Sequence, residues 1–535
     1  MLNNSKTPFT LLIFLFSFFG NYESVLSQQA DSWNWGGPMD HLQQKIRVSH
    51  YHLDLEILPE SQEISGSTTL SVRYLEETDT LRLDLISHYT VSAVKGDNHS
   101  LSFQHQDDLL DINLAGKSPD KITVYYRGKT PIASNPPWSG GFTWEKDDHG
   151  NHWMGLSSQN EGGKVFMPCL DHPRNKPADG VRLSITVPTS YTVAANGRLK
   201  GTDEVSQKST FHWESNYPIM NYNINFTMGK FHIEKGIFEG VSGENIPIMV
   251  YVLEENKDKA ALLLEVLRKS TETHEHFFGA FPFPEDKIAV VETPYLGMEH
   301  QTINAYGNNF QFVRMGEVWY DWLLHHELGH EWFGNKVSVS DWSDYWIHEG
   351  ITSYGDWLFY LKHKGEAAYH EKVADAKKQI KNELPVVSPP ESHSDIAYHS
   401  DVYTKGAFIM HSLRFMLGDE AFFPLLKSIA HQEAFTYANQ ATTADLIDYL
   451  SKDSDLDIRE FLSWYLYRED LPKVRVKKKK KNVFHISLPH SSFSLPVEVK
   501  TDKGIERRVL SSSPIEVIST TEVEVDPLGW YLLDK

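Results

Sequence analysis

The chain has 535 residues, enough for several domains of ordinary size. Its 40% hydrophobic and 23% charged residues are those of a folded globular protein, which excludes a wholly disordered or fibrous one. A formal net charge of -21 excludes a broad nucleic-acid surface, and the lone cysteine, Cys169, excludes an intramolecular disulfide.

Lys6 precedes an apolar run over residues 9–19 that is too short to span a bilayer and fits the core of a signal peptide. Val25 and Ser27 set a cleavage site, so residues 1–27 are expected to be removed. No later segment is apolar enough to span, and the mature chain is expected to have no integral membrane span. An exported chain of this size without disulfides points to a bacterial periplasm or the extracellular space. Residues 28–44 read as an exposed lead-in.

From residue 45 the pattern is that of strands. Tyr51, Leu53, Leu55 and Ile57 alternate with polar neighbours, as do Leu81, Leu83 and Leu85, between Gly, Pro, Asn and Asp turns. Residues 45–236 are therefore expected to be an all-β saddle or sandwich. Helical spacing follows over 257–278, then a strand at Ile288–Glu292, then helical spacing over 316–334, 350–363, 404–417 and 457–468. Residues 237–470 read as a mostly helical domain with some sheet. Alternation returns after Pro472, so residues 471–535 are expected to form a small β-sandwich, making the whole a multidomain α+β protein. Lys477 to Lys481 read as a solvated strand edge, because lysine blocks edge pairing. Cys169 reads as a small core residue, and Asn98-His-Ser and Asn225-Phe-Thr are formal glycosylation triplets.

The chemistry is carried by His326-Glu327-Leu328-Gly329-His330. Within a helix over 317–333, histidines four apart share one face, so both imidazoles reach one metal. Glu327, one position on, lies beside that metal and is placed to take a proton from an attacking water. Glu349 follows His330 after eighteen residues, and a second helix packed on the first would bring its carboxylate to the same ion. Two His and one Glu leave a tetrahedral position open, as catalytic zinc requires; one Zn2+ per chain is expected. Asp344 or Asn335 is a candidate to orient a ligand imidazole. His325 points about 100° off the metal face and reads as a packing or surface residue.

With these motifs the chain, from about Arg47 to its end, resembles the M1 family of metallopeptidases, the gluzincin aminopeptidases. The resemblance rests on Phe166-Met-Pro-Cys-Leu-Asp-His-Pro-Arg-Asn-Lys, Gly297-Met-Glu-His, His326 to Asn335, Trp346 to Gly350 and Val402-Tyr-Thr-Lys-Gly, in that order. It implies a thermolysin-like catalytic domain, a zinc held by His326, His330 and Glu349, and Glu327 as the general base. It further implies that Glu299, in the exopeptidase segment with Gly297 and Met298, binds the α-amine of a peptide substrate. Leu296 and His300 stand where the family has Gly and Asn; the first is expected to alter how the backbone meets the scissile carbonyl, the second to put a titratable group near the amine pocket. Tyr403, 54 residues after Glu349, would stabilise the oxyanion. Tyr398 matches a site-proximal tyrosine of the leukotriene hydrolase branch or is core, and Gln159 matches a pocket glutamine of that branch or is a polar loop residue. His348 replaces an asparagine and is expected to bond locally. Many family members carry a large C-terminal helical domain, which this sequence is expected to lack.

The expected activity is zinc-dependent removal of single residues from peptides with a free N-terminus. The same site could serve an endopeptidase or an epoxide hydrolase, and a non-catalytic binding protein is the reading of a different class.

Overall fold

In the strand Ile46–Leu58, Tyr51, Leu53, Leu55 and Ile57 are buried. The strand lies at the middle of an eight-stranded sheet, antiparallel to Glu63–Tyr74 and parallel to Val181–Pro188, with Leu53 opposite Leu183. Leu81 and Leu83 face Ile112 and Leu110 across a smaller sheet. A four-stranded sheet built from Gly141–Lys146, His152–Ser157, Thr192–Ala195 and Phe226–Gly229 completes this β region; the loop after Ser157 carries Gln159. The computed structural model describes residues 33–452 and 454–534, and the expected signal peptide, residues 1–27, lies outside them. Cys169 is fully buried, as a core residue should be.

The strand Phe231–Glu239 pairs along its whole length with Asn245–Leu253 in the next sheet. Position 236, expected as the end of the β region, therefore falls inside a strand that belongs with the helical part. That five-stranded sheet runs Phe231–Glu239, Asn245–Leu253, Ile288–Glu292, Asn304–Tyr306, Gly297–Met298, so Gly297–Met298 is its edge. The helix Ala260–Phe278 connects its second and third strands. Helices Trp346–Lys364 and Ser400–Leu417 cross where Gly350 meets Gly406: a Cβ on either would sit 2.9 Å from the other's Cα. Only glycine permits that approach, and it brings Glu349 and Tyr403 to the same space.

Two expectations are corrected. The helix expected over 316–334 is only Trp322–Gly329. Val318–Tyr320 instead pairs with Val313–Met315, and Asp321 caps the helix by accepting from the N–H groups of Leu323 and Leu324. The lead-in is not exposed throughout: Pro38, His41 and Gln44 are exposed, but other residues of it are buried. Trp35 is 1% exposed, and Met39 is buried as well.

The C-terminal region has two three-stranded sheets. Ile486, Leu495, Val497, Val499 and Leu510 join the core beneath the helices, and Trp530 stacks on His411 at 4.6 Å. The lysine run occupies the exposed edge strand Arg475–Lys480. Among the described residues no helix is long and apolar enough to cross a membrane.

Candidate active site

His326 projects from the capped helix, His330 from the residue that ends it with its backbone still helical, and Glu349 from the first turn of Trp346–Lys364. Nε2 of His326, Nε2 of His330 and Oε2 of Glu349 lie 3.3 Å from one another. The far nitrogens fix the tautomers. Nδ1–H of His330 donates to the Phe333 carbonyl at 2.9 Å, which can only accept, and Nδ1 of His326 meets Asp356 Oδ2 at 2.9 Å. Three lone pairs therefore converge with no hydrogen between them, and Glu349 Oε2 is buried without a donor. A cation answers all three. The edge of 3.3 Å is that of a tetrahedron about an ion with ligand bonds of about 2.0 Å, the bond length of zinc to these atoms. The residues fit zinc.

Beside this triangle, carboxylate oxygens of Glu299 and Glu327 and a ring nitrogen of His330 lie within 4.8 Å of one another. Glu327 packs against the edge strand at Gly297, where a Cβ would come within 2.7 Å of its Oε1. Burial pushes the Glu327 carboxyl up to about 8. Glu299 is 2% exposed; its Oε1 accepts from Tyr222 OH at 2.9 Å and Gln159 Nε2 at 3.0 Å. Burial raises this carboxyl too, against the pull of His330. Met298 lies on the same edge strand, paired with Ala305. Gln159 also bonds Tyr345 OH, which in turn donates to Glu349 Oε1 at 2.6 Å. Tyr403 OH bonds Tyr398 OH at 2.6 Å, and its ring lies 6.2 Å from that of His326. His326, Glu327, His330, Glu349, Glu299, Gly297, Met298, Gln159, Tyr398 and Tyr403 thus lie at the ligand triangle or on the segments that contact it.

The supporting partners differ from those expected. Asp356 and the Phe333 carbonyl orient the two imidazoles. Asn335 instead bonds Glu331 and the Glu299 carbonyl, and Asp344 accepts from the Thr443 N–H at the start of the helix Thr443–Ser451. His300 brings no titrating charge to the amine pocket: it is fully buried, accepts from Asn225 Nδ2 at 3.2 Å, and burial pushes it down to about 3. Asn225 is buried by the same contact and by a bond to the Leu156 carbonyl, so it is no glycosylation acceptor in the folded protein. His325 stacks on His274 at 4.0 Å, and His348 accepts from the Val339 N–H at 3.0 Å. Sequence reasoning missed Asp356, Tyr345 and Tyr222. The first two had a signal, since Tyr345 and Asp356 lie four before and seven after Glu349 on the same helical face.

Comparison with known proteins decides the family. The Peptidase family M1 domain matches residues 264–465, and the Peptidase M1 N-terminal domain matches residues 47–222. The chain belongs to peptidase family M1. Among M1 relatives it is 21% identical to aminopeptidase N of Lactobacillus helveticus over 454 residues, 79% of this chain and 51% of that protein. It is 24% identical to probable aminopeptidase 2 of Sulfurisphaera tokodaii over 488 residues, 86% of this chain and 57% of that one. The chain thus spans about half the length of the curated relatives it matches. Its fold is that of an M1 zinc metallopeptidase from Deinococcus radiodurans, with a TM-score of 0.67 and 22% identity over 80% of this chain and 95% of that one. Legionella pneumophila aminopeptidase A shares it with a TM-score of 0.72 and 17% identity, over 90% of this chain and 58% of that one. A variant of the Deinococcus enzyme was solved with a Tyr-Ser-Ala substrate bound.

Proposed function

We propose that this M1 protein is a zinc-dependent aminopeptidase that removes single residues from peptides with a free N-terminus. The observation that carries the reading is a buried carboxylate, Glu299, fixed beside a three-ligand metal triangle. His326, His330 and Glu349 would hold one zinc ion. When bound, zinc supplies polarisation of the scissile carbonyl and a lowered pKa for water. Glu299 pairs with the substrate's α-ammonium, and the fixed distance from that acid to the ligand triangle sets the cut one residue in. Because Tyr222 and Gln159 both bond its Oε1, the other oxygen is left to the amine. The edge strand Gly297–Met298 offers backbone groups to an extended peptide. Glu327 takes the proton of the attacking water and returns it to the leaving amine. Tyr403 donates its hydroxyl to the developing oxyanion, turning to it the hydrogen that in the free site goes to the Tyr398 oxygen.

The division into a β-domain at 45–236, a catalytic domain at 237–470 and a C-terminal β-sandwich at 471–535 is part of this proposal, with the strand Phe231–Glu239 assigned to the catalytic side. So is export after cleavage behind Ser27, to a bacterial periplasm or beyond. One experiment addresses both location and activity. Protein recovered from the periplasm or medium should begin at Gln28 and release p-nitroaniline from free-amine aminoacyl substrates, but not from N-acetylated ones, and a chelator should abolish release. Cleavage of the blocked substrates would instead indicate an endopeptidase, an uncleaved N-terminus would refute cleavage behind Ser27, and absence of the protein from both fractions would refute export.

Asp356 provides a separate check on the metal. Removing its carboxylate frees the His326 ring to rotate and lowers its basicity. Asp356→Ala should weaken zinc binding about ten- to a hundred-fold in a competition titration. Unchanged affinity would show that the helix alone orients His326.

A further inference from the structure

The lead-in residues 34–37 run between two segments that reach the active site. The Trp35 N–H donates to the Asn160 carbonyl at 2.8 Å and to Ser394 Oγ at 3.1 Å. Ser394 Oγ donates to the same Asn160 carbonyl at 2.7 Å, and the Ser394 N–H donates to the Trp35 carbonyl at 2.8 Å. The backbone of Trp35 thus ties the Gln159 loop to the short helix Ser394–Ala397, whose next residue is Tyr398. Gly37 continues the tie by donating to the Ser392 carbonyl at 3.2 Å. It adopts φ +79° beneath the His393 ring, where a Cβ would come within 2.2 Å of the imidazole, so only glycine fits.

The Trp35 side chain reaches the site from behind. Its ring packs 5.2 Å from Tyr222 and 4.9 Å from Trp342. Tyr222 is the donor to Glu299 Oε1, and Trp342 lies 4.5 Å from Tyr345, the donor to Glu349 Oε1. Gln159, next to Asn160, donates to Glu299 as well. Each protein group that orients the amine-binding carboxylate is therefore one contact away from this segment. The two histidine ligands are not; they are held by Asp356 and the Phe333 carbonyl.

We propose that residues 34–37 are a strap that positions the amine-binding side of the active site, with Trp35 as the positioning residue; this rests on the aminopeptidase reading above. Trp35 touches no reacting group and acts through Tyr222 and the Gln159 loop. Its role is separable from that of a core residue because Nε1 of Trp35 has no hydrogen-bond partner. Phenylalanine can therefore keep the ring contacts without losing a bond.

The test uses the chain from Gln28 onward, loaded with zinc, with KM, kcat, zinc content and folded fraction measured for each variant on a free-amine aminoacyl-p-nitroanilide. Trp35→Ala should raise KM about ten-fold or more, since small displacements of a positioning group are costly. It should change kcat less and leave the zinc content alone. Trp35→Phe should restore a near-normal KM. Ser394→Ala, which removes the two Oγ bonds, to the Trp35 N–H and to the Asn160 carbonyl, while leaving the backbone bonds and opening no large cavity, should raise KM several-fold. A merely structural role would instead lower the folded fraction and apparent kcat together at constant KM, and that result would overturn the proposal. If Trp35→Ala does not fold, Ser394→Ala decides alone, and an unchanged KM there is the overturning result. Unmodified protein that cleaves no free-amine substrate would overturn the aminopeptidase reading and the strap's role with it; active unmodified protein with unaffected variants would overturn the strap alone.

Discussion

Glu327→Gln should keep its zinc and lose turnover by about a thousand-fold, in the range expected for removal of a general base. The substitution changes one oxygen for an amide nitrogen at nearly constant volume. The ligand triangle of His326, His330 and Glu349 is untouched, and so are the bonds from Asp356 and the Phe333 carbonyl that orient it. What is lost is the proton acceptor that helical geometry places one residue past the first ligand, pressed against the edge strand where Gly297 makes room for it. Metal analysis and kcat on the same preparation check the prediction. Near-normal kcat would remove Glu327 from the role of base, and loss of zinc would mean that its charge holds the ion.

The parts of this site that were legible in the sequence are those fixed by local geometry. Histidines four apart share a helix face whatever the rest of the fold does, which is why His326 and His330 were readable. Glu349 came from its spacing to them, and Glu299, Tyr403 and the weaker Gln159 and Tyr398 from resemblance. Tyr222 was not readable, because its contact with Glu299 joins residues 77 apart in the chain and nothing near residue 222 marks it. Trp35 failed for a similar reason. One tryptophan among Asn34, Gly36, Gly37 and Pro38 carries no periodicity, so the segment read as an exposed loop, whereas its partners Tyr222 and Trp342 lie in other parts of the chain. The over-long helix expected over 316–334 is a different kind of error. The alternation of Val318 and Tyr320 was absorbed into a helical period, although Asp321 is a natural cap immediately before Trp322.

Glu299→Ala should lower kcat/KM for free-amine substrates by at least about a hundred-fold, with zinc content unchanged. A charge-assisted bond to an ammonium in a buried setting is worth about 3 kcal/mol, which corresponds to that factor. The fall should exceed what loss of the amine contact alone would give, because the substitution also leaves Tyr222 OH and Gln159 Nε2 without their shared acceptor. Glu299→Gln separates the two contributions. Its amide oxygen can still accept from Tyr222 and Gln159, so it should preserve the wall of the pocket while cancelling the charge. If the charge sets amine recognition, both variants lose most of their kcat/KM on free-amine substrates while keeping their zinc. If Glu299→Gln keeps near-normal kcat/KM while Glu299→Ala does not, Glu299 is a scaffold for Tyr222 and Gln159, and the amine must be bound elsewhere. Loss of zinc in both variants would mean that Glu299 supports the metal site rather than the substrate.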